Sequence, residues 1–217
     1  MKKLAIFDLD GTLLYTLEDL HASTNFALES EGLPARSLDE VRCFVGNGIR
    51  KLIERAVPDG CAPDVTDRVF AAFKHHYAEN CMVLTRPYPG IPEMLDALKA
   101  RGWKLGVVSN KADEPVKALI AHYFPGVFDS VVGERENVRK KPAPDSVFET
   151  VGSLGCDIGQ AVYIGDSDVD GQTAANAGCD CVLVSWGFRG RETLLPFGCP
   201  IADSTDELLN ILTEGEK

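Results

Sequence analysis

Apolar residues in this chain fall into short β-branched runs separated by longer stretches of helical spacing. The runs at 3–7 (KLAIF), 104–108 (KLGVV), 130–133 (SVVG), 161–165 (AVYIG) and 181–184 (CVLV) do not alternate cleanly with polar residues. Each is therefore expected to be a strand covered on both faces, as strands of a parallel sheet are. Between them, apolar positions recur at three- and four-residue steps over 92–102, 113–123, 144–155 and 169–178. A last helix is expected over 204–214, with Ser204 or Thr205 as its N-cap. Strand and helix alternating from residue 88 onward predict an α/β fold with a doubly wound parallel sheet.

Residues 16–82 break that alternation. Leu17, Leu20, Thr24, Ala27 and Leu28 recur at helical spacing, and 46–57 and 65–80 continue in the same style without a strand. The expectation is an α/β core of residues 1–15 and 83–217, interrupted by an all-helical cap of residues 16–82. The return segment LTRPYPGIP, 84–92, reads as a hinge, because proline restricts the backbone while Gly90 absorbs an unusual turn.

Composition narrows the partners. At 217 residues and 45% apolar content the chain can bury a full core. A formal charge of −11 argues against nucleic acid or an anionic membrane, both of which need a basic face. The opening MKKLAIF has too short an apolar run for a signal peptide, and no stretch approaches the roughly 18 apolar residues of a membrane span. A cytoplasmic protein is expected. Seven scattered cysteines without a Cys-x-x-Cys pair read as reduced thiols.

Candidate chemistry lies just beyond the expected strands, where open α/β sheets bind their ligands. Asp8 and Asp10 follow the first, Ser109, Asn110 and Lys111 the second, and Asp166, Asp168 and Asp170 the fourth, with Lys140 and Lys141 ahead of the helix preceding it. Carboxylates this close disfavour one another unless a cation lies between them. Oxygen donors at an open site favour Mg²⁺. Lys141 and the Ser109 hydroxyl would then hold phosphate oxygens, and Gly11 would admit a close backbone approach with the Thr12 amide aimed at the anion.

The segments DLDGTLL, VVSN, KKPAP and IGDSDVDGQTAANAG resemble, in order and spacing, the four motifs of the haloacid dehalogenase superfamily. DLHASTNFALESEGLP, FVGNGIRKLIERA and PYPGIPEMLDAL are further similar to its helical-cap branch, which includes the phosphoglycolate phosphatases. The resemblance covers almost the whole chain. It implies that Asp8 is a nucleophile forming an aspartyl-phosphate and that Asp10 is the general acid and base. It further implies Mg²⁺ held by the Asp8 carboxylate, the Asp10 backbone carbonyl and the Asp166 carboxylate, with Asp170 orienting metal waters or Lys141. Thr12, Ser109, Asn110 and Lys141 would bind the phosphoryl group. Many relatives carry an aspartate four residues after the motif glycine; here that position is Tyr15.

In the cap, VGNGIRK offers Asn47 and Arg50 as substrate-selecting residues, a guanidinium being suited to a substrate carboxylate. Against this stands the reading of Arg50 and Lys51 as solvated helix residues. His75 and His76 read as exposed helix positions, and Trp103 and Trp186 as packing residues, with Trp186 and Phe188 placed to line a cleft rim. The expected activity is Mg²⁺-dependent hydrolysis of a small phosphorylated metabolite by a monomer or homodimer, with 2-phosphoglycolate the best single substrate. A pyrophosphatase and a β-phosphoglucomutase-type phosphomutase keep the same motifs, and a non-catalytic regulatory protein could share the fold.

Overall fold

The structure, a computed structural model, describes residues 3–214. Its strands are β1 (Leu4–Phe7), β2 (Leu14–Tyr15), β3 (Arg86–Pro87), β4 (Lys104–Ala112), β5 (Ser130–Glu134), β6 (Ala161–Gly165), β7 (Asp180–Val184) and β8 (Ile201–Ala202). The helices are α1 (Leu17–Ser30), α2 (Leu38–Phe44), α3 (Ile49–Ala56), α4 (Pro63–Asn80), α5 (Ile91–Ala100), α6 (Asp113–Tyr123), α7 (Asp145–Ser153), α8 (Asp168–Ala177), α9 (Arg191–Leu194) and α10 (Thr205–Thr213). The chain divides into two compact units, one spanning 15–86 and the other built from the segments on either side of it.

The α/β unit is organised by its first strand. All four residues of β1 are fully buried, so it must lie inside the sheet. The strand order is β5-β4-β1-β6-β7-β8, every pairing parallel, with Ile6 opposite Gly106 on one side and Tyr163 on the other. The chain adds β4 and β5 to one side of β1, then β6, β7 and β8 to the other. The direction of winding thus reverses at β1, and a crevice opens beyond its carboxyl end. Leu4, Ile6, Val108, Val132, Val147 and Tyr163 form one apolar cluster with Ala174 and Ala177 of α8.

The helical unit is closed by polar caps and one buried carboxylate. Ser37 and Glu40 form a capping box that starts α2, and Pro63 occupies the first turn of α4. Helix α1 packs along α4, where Phe73 and Tyr77 are buried. Asp19, in the first turn of α1, is 2% exposed and accepts hydrogen bonds from the Leu84 and Thr85 backbone N–H groups at 2.9 Å each. That contact fastens the returning chain to the start of the first helix.

Three features depart from the sequence expectation. Strand β4 does not stop at Val108 but runs to Ala112, with a register irregularity between Val108 and Ala112. Ser109, Asn110 and Lys111 therefore sit on the strand's end, where an apolar-run criterion loses a strand that turns polar. The two-residue strands β2 and β3, which form their own ribbon, and the sheet-edge strand β8 are too short to show a period.

Because Ile6 is fully buried between two parallel neighbours, Ile6→Ala is expected to cost about 2–5 kcal/mol. Leu195→Ala, at a residue 58% exposed, should stay within about 0.5 kcal/mol. Urea unfolding of both variants checks the contrast; equal losses would contradict the placement of β1.

Candidate active site

The turn after β1 sets the first two carboxylates. The Leu9 and Lys141 donors both address Asp8 Oδ1, at 2.7 and 2.9 Å. Among the described residues nothing is hydrogen-bonded to Oδ2, which is left for chemistry. The N–H groups of Leu13 and Leu14 both return to the Leu9 carbonyl at 3.0 Å, curling the chain tightly behind the site. Gly11 takes φ +87°, and a Cβ there would lie 2.4 Å from Asp166 Oδ2, so both the turn and the neighbouring carboxylate require glycine. The Thr12 hydroxyl donates to Asp166 Oδ1 at 3.3 Å while its amide serves the Leu9 carbonyl at 3.3 Å. Thr12 therefore faces Asp166 instead of presenting its N–H to a bound anion.

The end of β4 supplies the cations and their supports. Lys111 is buried, and its Nζ lies 3.1 and 3.2 Å from the two oxygens of Asp10. The Ser109 hydroxyl accepts from the Lys111 backbone N–H at 3.2 Å. Asn110 accepts from the Lys141 N–H at 2.9 Å and donates to the Lys141 carbonyl at 3.1 Å. This amide pair fixes the backbone of Lys141, whose Nζ reaches Asp8 at 2.9 Å and Asp170 at 2.8 Å.

The third group follows β6. Asp170 lies in the first turn of α8, fully buried, accepting from the Ser167 N–H at 3.1 Å and the Ser167 hydroxyl at 2.5 Å through Oδ2. Its Oδ1 receives Lys141, so three donors already address this carboxylate. Asp166 receives the Phe188 backbone N–H at 2.6 Å. A Cβ on Gly187 would come within 2.2 Å of the Asp166 side chain, so the chain after β7 presses directly against this carboxylate. The Trp186 indole donates to the Thr12 carbonyl at 3.1 Å and so ties that chain to the turn after β1.

Electrostatics decide what the cluster can hold. Burial, above all, raises the Asp8 carboxyl to about 7, with the negative charge of Asp170 adding to it and Lys141 opposing. Burial, then Asp170 and Asp8, push Asp166 well above the usual carboxylate range. Burial works against the Lys141 ammonium, but Asp170 and Asp8 outweigh it and hold its pKa well above that of an ordinary lysine. Among the described residues Lys111 and Lys141 are the ammoniums paired with Asp8, Asp10 and Asp170, so full ionisation of these three and Asp166 would leave two negative charges unbalanced, and Asp8 and Asp166 hold protons unless a cation replaces them. One oxygen from each of Asp8, Asp166 and Asp170 lies within 4.8 Å of the others. An all-oxygen set with that surplus fits a hard divalent cation.

Most of the sequence candidates lie at the ends of β1, β4 and β6 in three bonded groups: Asp8, Asn110, Lys141 and Asp170; Asp10 and Ser109 through Lys111; and Thr12 with Asp166. Arg50 and Asn47 belong to the helical unit instead. Arg50 pairs with Glu54 at 3.1 Å and Asp67 at 2.6 Å, and Asn47 accepts from Arg55 at 2.8 Å. His76, expected to be exposed, is half-buried, stacked on Phe26 and hydrogen-bonded to Ser23 at 3.0 Å. Two contributors escaped the sequence reading. Lys111 stood in view in the Ser-Asn-Lys triplet, but nothing local said that its side chain would turn to Asp10. The Phe188 amide carries no side-chain signal at all.

The charge surplus predicts a pH-dependent effect of metal. A carboxyl raised in the folded state binds its proton more tightly there than in the unfolded chain. Its stabilising contribution is complete at acid pH and is lost as pH rises from the ordinary carboxylate range through about 7. Mg²⁺ should therefore raise Tm more at pH 8 than at pH 5, where protons compete for the same oxygens. Asp166→Asn should remove most of the shift. An equal Mg²⁺ effect in the variant would contradict the assignment.

Comparison with known proteins places the chain in a family. The family model described as haloacid dehalogenase-like hydrolase matches residues 5–184. A phosphoglycolate phosphatase of Aquifex aeolicus (strain VF5) is 35% identical over 195 residues, covering 89% of this chain and 90% of that protein. One from Caulobacter vibrioides (strain ATCC 19089 / CIP 103742 / CB 15) is 38% identical over 186 residues, covering 84% and 78%. The solved structure of CbbY from Rhodobacter sphaeroides, a mutant in complex with xylulose-(1,5)bisphosphate, superposes with a TM-score of 0.77 at 25% identity, covering 96% of both chains. Six parallel strands wound about β1, a cluster of aspartates and lysines at their carboxyl ends, and a family match over most of the length lead to one conclusion: the chain belongs to the haloacid dehalogenase-like hydrolases.

Proposed function

We propose that this protein is a Mg²⁺-dependent phosphatase acting on a small phosphorylated metabolite through an aspartyl-phosphate, with 2-phosphoglycolate its best single substrate. The observation that carries the reading is Asp8 itself. One of its oxygens is held by Leu9 and Lys141, and the other is left unengaged among the described residues, inside a carboxylate cluster whose full ionisation a cation would favour. The names of the curated relatives support the substrate class.

Asp8 Oδ2 attacks phosphorus, and Asp10 gives a proton to the leaving oxygen and later takes one from the attacking water. Lys111 fixes the Asp10 carboxylate through both of its oxygens. Lys141 and the Ser109 hydroxyl meet the charge on the equatorial oxygens, with Asn110 setting the Lys141 backbone. Asp8, the Asp10 backbone carbonyl and Asp166 are the proposed holders of the metal, with Asp170, held by Ser167 and Lys141, placed beside them. When bound, the cation offsets charge on the phosphoryl oxygens and favours the ionised form of Asp8. A core of residues 1–15 and 83–217 with a cap of 16–82, a monomeric or dimeric state and a cytoplasmic location belong to the same proposal.

The role of Asp10 is separable from that of Asp8 by leaving group. Asp10→Asn should slow release of the leaving group in the first turnover by about 10²–10⁴-fold on an alkyl phosphate and far less on 4-nitrophenyl phosphate, since a nitrophenolate leaves without a proton and the later step on water is common to both. Equal losses on both substrates would remove Asp10 as the acid.

Arg50 is the proposed selector of a substrate carboxylate, with Asn47 beside it in sequence. Its pairs with Glu54 and Asp67 are exposed and therefore weak enough to be exchanged. A panel of phosphorylated metabolites ranked by kcat/KM tests this. Arg50→Ala should lower 2-phosphoglycolate relative to substrates without a carboxylate. An unchanged ranking overturns the Arg50 assignment. A panel led by pyrophosphate or a sugar phosphate overturns the substrate.

A further inference from the structure

At the edge of the sheet away from the carboxylate cluster, two cysteines face each other across β7 and the chain entering β8. Leu183 and Val184 pair in register with Ile201 and Ala202, and the Leu183 N–H donates to the Pro200 carbonyl at 2.9 Å. Counting back two residues on each chain places Cys181 opposite Cys199 on the face of Leu183 and Ile201. Adjacent strands lie about 4.8 Å apart, within the roughly 4.4–6.8 Å over which a disulfide joins two Cα atoms. Both side chains line one cleft of about 380 Å³ together with Trp103, Asp180 and Ile211. A small oxidant can reach them there.

We propose that Cys181 and Cys199 form a thiol pair that a hydroperoxide oxidises to an intramolecular disulfide. The neighbouring Cys181 thiol lowers Cys199 to about 7, while Cys199 and then burial push Cys181 up. Cys199 is accordingly the attacking thiolate and Cys181 the resolving thiol. The Cys199 sulfur bonds to one peroxide oxygen and the O–O bond breaks. Cys199 is left as a sulfenic acid, and the departing oxygen takes a proton to become water or an alcohol. The Cys181 sulfur then attacks Cys199, the S–S bond forms, the S–O bond breaks, and the Cys181 proton leaves with the hydroxide as water. Two electrons pass from the sulfurs to the peroxide. The resulting loop encloses Trp186 and Phe188, the stretch lying against Thr12 and Asp166.

Hydrogen peroxide titration of the full, initially reduced chain, followed by non-reducing peptide mapping, reads the site without reference to activity. The expected result is a loss of two hydrogens and a Cys181–Cys199 crosslinked peptide as the first product, reversed by dithiothreitol. Cys181→Ser should stop the reaction at a sulfenic acid on Cys199 that dimedone traps. Cys199→Ser should slow oxidation of Cys181 at least tenfold. A first product on Cys43, Cys61 or Cys179 in the unsubstituted protein, or no crosslink between Cys181 and Cys199, overturns the proposal and does not depend on whether a variant folds.

Discussion

Four carboxyl groups that cannot all ionise beside only two ammoniums, at the carboxyl end of β1, are the constraint around which the α/β unit is arranged. Lys141 is shared between Asp8 and Asp170, and Lys111 is given to Asp10, yet four carboxylates still outnumber two ammoniums. A fold optimised for stability alone would replace such a cluster with apolar packing, because burying charge costs more than pairing it returns. Its persistence in the most enclosed part of the sheet is explained if a divalent cation and a phosphoryl group complete it.

The scaffold makes that cluster possible through close approaches. Winding outward on both sides of β1 puts the ends of β4 and β6 beside it, so Asp8, Asn110 and Asp166 come from three strands without a long loop. Gly11 and Gly187 let two separate stretches of backbone close on Asp166, where any side chain would collide with its carboxylate. Asn110, with its paired bonds to Lys141, shows how a polar side chain at the end of a strand can place a lysine from a loop. Each of these supports fixes a residue of the carboxylate and lysine cluster.

Much of this was legible in the chain, for physical reasons that also explain the gaps. β1 and β6 announced themselves because a strand covered on both faces needs an uninterrupted apolar run, and Asp8 and Asp166 stood out because the charge begins where that run ends. The order of the motifs then carried the family. β4 was read short because its last residues are polar, and β8 was missed because two residues have no period. The turn of Lys111 toward Asp10 and the Phe188 amide on Asp166 arise from tertiary placement, which no local pattern encodes. Substrate choice was the least legible, since no local pattern says what an exposed residue such as Arg50, paired here with Glu54 and Asp67, would meet in a substrate.

The central claim is that the Asp8 carboxylate attacks phosphorus directly. Mixing excess enzyme with 2-phosphoglycolate and Mg²⁺, quenching in acid within the first turnover and mapping the peptides by mass spectrometry tests it. The account predicts a transient phosphoryl adduct on the peptide containing Asp8, rising and decaying within one turnover. Phosphate released at full rate with no adduct at any quench time would contradict it.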